Sequence, residues 1–152
     1  MSFLEQQYLD FENVLSYRTR VDINRLDAIL NFAEKNIDAL GLRVTGNTLF
    51  TVFETVKDKN KCILGIEILI PVDKAFESSE QYVYKPEFRL VNAVSARFCC
   101  PYLDIDSINA SLIEYLDANN LKAISSIYYM KSKIDPLSNV FDAYVSVSGN
   151  LL

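Results

Sequence analysis

Apolar positions recur along the chain in two rhythms. From Asp22 onward, Ile23, Leu26, Ile29, Leu30, Ala33, Ile37 and Leu40 fall at helical spacing. That predicts a helix with Asp22 as N-cap and Gly41 as the glycine that stops it. A second helix is predicted to open near Asp104 or Asp106, to carry Ile108, Leu112, Tyr115 and Leu116 on one stripe, and to end at Asn119-Asn120. Elsewhere the pattern is extended. Val14 to Val21 reads as a strand, and Leu42 to Val56 with Lys61 to Val72 as a hairpin around Lys57-Asp58-Lys59-Asn60. Tyr82 to Leu90 reads as a further strand, placed by Pro86 at an edge or a bend, and Val91 to Cys100 as another. Ala123 to Lys131 and Asn139 to Ser148 form a second pair around a turn containing Pro136. Residues 73–81 are polar and read as a connector.

The order strand, helix, strand, strand thus occurs twice. Glu12-Asn13-Val14-Leu15-Ser16-Tyr17-Arg18 aligns with Val91-Asn92-Ala93-Val94-Ser95-Ala96-Arg97 at an offset of 79, and Leu42 falls on Leu121 at the same offset. The expectation is a duplicated βαββ unit with pseudo-twofold symmetry: repeat 1 over about 10–72, the connector 73–81, and repeat 2 over about 82–148, all in one domain spanning 1–152. One βαββ unit is too small to bury its own sheet face. The fold class is therefore α+β, with antiparallel sheets, two helices packed on one side and a cleft on the other.

One residue breaks the apolar pattern. In Ile63-Leu64-Gly65-Ile66-Glu67-Ile68-Leu69-Ile70-Pro71, the isoleucines 66, 68 and 70 share one face and Glu67 points to the other. A carboxylate there must reach water, find a cation, or become neutral.

Composition narrows the chemistry. The chain has no histidine, which excludes Ser-His, Cys-His and His-metal mechanisms. No Cys-x-x-Cys pair or phosphate loop occurs, so neither metal nor cofactor is expected. A net charge of −5 and a pI near 4.7 argue against nucleic acid as a partner. The apolar runs are too short to span a membrane, and the first residues lack the form of a secretion signal. Three cysteines, two of them adjacent (Cys99 and Cys100), argue against a disulfide framework and for the cytoplasm. Cys99 and Cys100 read as small core or half-buried residues, with a reactive Cys100 before the second helix as the alternative.

Several segments resemble the GyrI-like (SOUL-type) family, which includes effector-binding domains of bacterial transcription activators. Arg97-Phe98-Cys99-Cys100-Pro101-Tyr102 resembles the family's strand ending in Gly-Pro-Tyr. Tyr115-Leu116-Asp117-Ala118-Asn119-Asn120-Leu121 resembles its helix end, and Phe141-Asp142-Ala143-Tyr144-Val145-Ser146-Val147 its last strand. Glu67-Ile68-Leu69-Ile70-Pro71-Val72 fits that same strand pattern in the first half. Cys100 stands where the family has glycine, Ser146 where it has proline and Asp142 where it has glutamate, and there is no tryptophan. With no DNA-binding segment read ahead of the domain, the expectation is a resemblance to the stand-alone members.

The resemblance implies that Asp142, with Glu67 as its counterpart, lies in a ligand cleft and attracts a small hydrophobic, cationic molecule. Tyr144, Tyr102, Tyr128 and Tyr129 are the aromatic candidates for its walls. The residues alone also admit a plainer reading, in which both carboxylates face water or pair with Arg18, Arg89 or Arg97, and the tyrosines are ordinary strand residues. Three functions follow: a non-enzymatic effector-binding module; a protein-interaction module that inhibits, protects or escorts a bacterial partner; and a small hydrolase using a cleft carboxylate as base. The first is the expectation, with no catalytic residue assigned and the oligomeric state left open.

Overall fold

The alternating and helical patterns both appear in the computed structural model, which describes residues 2–99, 104–131 and 140–148. Among the described residues, seven strands and two α-helices make an α+β protein: β1 (Ser2–Asp22), α1 (Leu26–Ala39), β2 (Leu49–Asp58), β3 (Lys61–Pro71), β4 (Tyr82–Cys99), α2 (Ile105–Ala118), β5 (Lys122–Ala123), β6 (Tyr128–Lys131) and β7 (Val140–Ser148). The chain divides into two compact units. One is Asp10–Phe88; the other joins Met1–Leu9 to Arg89–Leu152.

In the 10–88 unit, β3 is the central strand, antiparallel to β1 on one side and to β2 on the other. Its two faces are buried along almost the whole strand, which is why its sequence is apolar nearly throughout. Asp22 caps as expected, accepting the Asn24 N–H at 2.9 Å, but the first turn it caps is 3₁₀, over Ile23–Arg25, and α1 follows. The stripe Leu26, Leu30, Ala33 and Ile37 is buried. Gly41, at φ +74°, ends the helix, and the Leu42 N–H closes back on the Ile37 carbonyl at 3.2 Å. The extended segment expected from Leu42 starts later, at Leu49. Arg43 N–H is drawn to the Asp73 carboxylate and Thr45 N–H to the Pro71 carbonyl, so these groups serve a loop, with one bridge between Val44 and Val72. The turn at Lys59-Asn60 connects β2 and β3 as the hairpin pattern predicts.

In the other unit, β7 is central, antiparallel to β4, to β6 and to the short β5. Asp104 caps α2 by accepting the Ser107 N–H at 3.1 Å. Asn120, at φ +57°, closes it, with the Leu121 N–H on the Leu116 carbonyl at 2.9 Å. The strand expected over 123–131 is split. The Ser125 hydroxyl accepts the Ser146 N–H at 2.9 Å, a side chain taking a place in the ladder that a backbone carbonyl would fill. The segments expected separately at 82–90 and 91–100 are one strand, β4. Pro86 lies inside it, as a proline can where its missing N–H is not needed. Asn92, at φ +48°, absorbs a left-handed residue without ending the strand, and Asn13, at φ +58°, does the same in β1. These two asparagines are related by the offset of 79. The turn with Pro136 lies outside the described residues, as do Cys100, Pro101 and Tyr102.

Candidate functional site

Strand register brings each candidate carboxylate against an arginine of its own unit. In the 10–88 unit Glu67 lies directly opposite Arg18, and in the other unit Asp142 lies directly opposite Arg97. Arg18 and Arg97 are themselves related by the offset of 79. The two pairs are nevertheless built differently.

Asp142 takes Arg97 as a fork. Arg97 Nε donates to Oδ1 at 2.9 Å and Nη2 to Oδ2 at 3.1 Å, the planar two-bond geometry that guanidinium and carboxylate share. The carboxylate side chain is 15% exposed and the arginine side chain 52%. Its bond to Asp142 raises the Arg97 pKa further, so the guanidinium is a permanent cation. Period-two alternation puts Tyr144 on the same face as Asp142, and Tyr128 is the β6 residue paired with Tyr144. Burial pushes the Tyr144 hydroxyl pKa up, and the Asp142 charge adds to the effect. Asp142, Tyr144, Tyr128 and Arg97 thus form one half-exposed patch. Tyr129 does not join it. It points to the opposite face, is 1% exposed, and its hydroxyl hydrogen-bonds the Asn109 side chain on α2. Burial raises its pKa strongly. Tyr102 lies outside the described residues.

Glu67 is more deeply placed and more heavily held. Ser16 Oγ donates to its Oε2 at 2.7 Å and Lys85 Nζ at 3.0 Å, while Arg18 Nε stands 3.5 Å away. Burial alone would raise its pKa. The hydrogen bonds from Ser16 and Lys85 and the charges of Lys85 and Arg18 outweigh that, and the pKa is lowered. The carboxylate in the apolar strand is therefore ionised because cations come to it. Ser16 and Lys85 were not among the residues singled out from sequence. A signal existed, since Ser16-Tyr17-Arg18 and Ser95-Ala96-Arg97 put serine and arginine on one face in both halves.

Each unit also contains a cavity. One of about 450 Å³ is lined by Ser16, Tyr17, Arg18, Glu80, Gln81 and Val83. The other, of about 570 Å³, includes Arg97, Cys99 and Asp104 in its lining. Among the described residues no group of three or more acids, cysteines or histidines is placed to hold a metal ion. No described helix is long and apolar enough to cross a membrane.

No family model matches the chain, and no curated protein matches it. Solved structures do. The chain is similar to EcmrR in its DNA complex, with a TM-score of 0.66 and 14% identity, over 96% of this chain. It spans 57% of that EcmrR chain. It is similar to the EcmrR C-terminal domain, with a TM-score of 0.64 and 15% identity over 97% of this chain and 99% of that one. It is also similar to a hydrolase from Listeria innocua, with a TM-score of 0.55 and 11% identity over 97% and 90%. At such identities the likeness defines a fold and leaves function to the site. That fold is consistent with the GyrI-like resemblance in the sequence.

Proposed function

We propose that the chain is a non-enzymatic effector-binding module of the GyrI-like type, and that it binds a small hydrophobic cation at Asp142. The carrying observation is the patch itself: a carboxylate beside Tyr144 and Tyr128 whose one cationic partner among the described residues is an arginine half in solvent. An arriving cation competes with Arg97 for Asp142 and brings apolar surface for the tyrosine rings. Glu67 is the weaker partner, because Ser16, Lys85 and Arg18 already engage it. Tyr102 remains in the proposed set on the family resemblance. Tyr129 contributes by anchoring β6 beneath Tyr128. The fold shared with the EcmrR C-terminal domain over nearly its full length supports a binding role.

The likeness to a hydrolase supports a second reading, in which a carboxylate activates water. Glu67 suits that role poorly, since a lowered pKa and three polar neighbours reduce its basicity. Calorimetry with tetraphenylphosphonium, and triphenylphosphine oxide as its neutral counterpart, separates the outcomes. The expected result is binding of the cation at least ten-fold tighter than the neutral compound, with at least a ten-fold loss in Asp142→Asn, about 1.4 kcal/mol. Equal affinity for the two compounds, or full affinity in a folded Asp142→Asn, would sink the proposal.

A further inference from the structure

The two arginines at equivalent places differ in what they leave unused. Arg97 commits two nitrogens to Asp142. The Arg18 side chain makes no hydrogen bond among the described residues: it has an ion pair to Glu67 through Nε at 3.5 Å and a cation–π contact with Phe53, 5.5 Å from its guanidinium carbon to the ring centroid. The reason lies in Glu67, whose Oε2 already accepts from Ser16 and Lys85. The guanidinium is therefore held close to the carboxylate with its η nitrogens unspent.

It is also held in place. Phe53 is the extra residue where the β2–β3 register shifts between Val52 and Glu54. Its ring lies over Gly65, so close that a β-carbon there would come within 2.7 Å of it. The side without a side chain receives the ring, and the ring receives Arg18. A guanidinium over a ring is restrained on that side, so less freedom is lost when its other edge binds a planar anion. Glu67, Lys85 and Arg18 together carry one net positive charge. Arg18 lines the cavity of about 450 Å³, where Val83 supplies apolar wall. Glu80 lines the same cavity and has no ion pair among the described residues.

We propose that this cavity is a second binding site, for a small organic monocarboxylate whose carboxylate docks on the free edge of Arg18 and whose apolar body lies along Val83. Glu80 repels a second negative charge and so selects against dicarboxylates. The site is separate from the cation patch at Asp142 and does not depend on it.

Amide NMR titration of the full chain with 3-phenylpropionate, its amide and phenylsuccinate tests this. The acid is expected to shift the amides of residues 16–18 and 81–83, and the amide compound to leave them in place. Arg18→Gln is expected to weaken the acid at least ten-fold, and Arg18→Lys, which keeps charge without the fork, several-fold. Glu80→Gln is expected to bring phenylsuccinate up to the affinity of the monoacid, while Asp142→Asn changes nothing here. Equal shifts from acid and amide, shifts mapping elsewhere, or unchanged affinity in Arg18→Gln would overturn the assignment.

Discussion

At the scale of single residues, Glu67 is the most informative. Its side chain is 9% exposed, ionised, and satisfied by one hydroxyl and two cations. A carboxyl with a lowered folded pKa contributes stability that is fully present above its unfolded pKa and lost as pH falls through the folded one. Glu67→Gln is therefore expected to cost about 1.5–3 kcal/mol at neutral pH, the range for hydrogen bonds to charged groups. Its stability should also fall less steeply than wild type as pH drops below 4.5, the ordinary value for this group. Urea unfolding of both proteins across that range checks the magnitude and the sign. An unchanged acid limb would mean that another carboxylate governs it. Asparagines 13 and 92 join conformation to bonding in a similar way. Each is left-handed within a strand, and each side chain has a partner in its own unit: the Tyr84 hydroxyl donates to Asn13 at 2.7 Å, and Asn92 donates to the Val147 carbonyl at 2.9 Å.

Among the elements, the two helix ends repeat at the offset of 79. Gly41 and Asn120 take the same left-handed cap, and Leu42 and Leu121 make the same closing bond. The β2–β3 pair is where a glycine has a different purpose. Gly41 is needed for its φ and has open space around it, whereas Gly65 is needed for what lies on it. Gly65→Ala brings a β-carbon to 2.7 Å from the Phe53 ring, but that ring is the outer end of a side chain 52% exposed and can give way, so the expected cost in urea unfolding is below the roughly 1–3 kcal/mol of core overpacking. The bulge at Phe53 was not legible in the alternation of Leu49 to Asp58, because a bulge shifts the period only where the partner strand demands it.

For the molecule as a whole, charge decides what it meets. Twenty acidic and fifteen basic residues leave little clustered cation for phosphate contacts. The likeness to EcmrR in its DNA complex covers 57% of that chain, and a shared fold does not carry DNA contacts with it. The 152-residue chain is accordingly expected to leave the mobility of duplex DNA unchanged in gel shifts at about 0.15 M salt, where non-specific affinities are only about 10⁻⁴–10⁻⁶ M. A discrete retarded band at micromolar protein would contradict this.

Local pattern was enough for the α+β class, both helices with their caps and the β2–β3 hairpin, because helix stripes, left-handed caps and strand alternation are written in neighbouring residues. It also marked Glu67 as a carboxylate that must reach water, find a cation or become neutral, whereas Asp142 came from the family resemblance. Tertiary structure alone chose those partners. Lys85 and Ser16 reach Glu67 across 18 and 51 residues of chain, so no local period announces them. Tyr128 and Tyr129 are indistinguishable as aromatic strand residues, yet one pairs with Tyr144 and the other is sealed against Asn109. Adjacent residues on a strand face opposite ways, and which face is covered is settled only when α2 packs on it. The same long-range choice left Arg97 bound by two bonds and Arg18 with donors to spare.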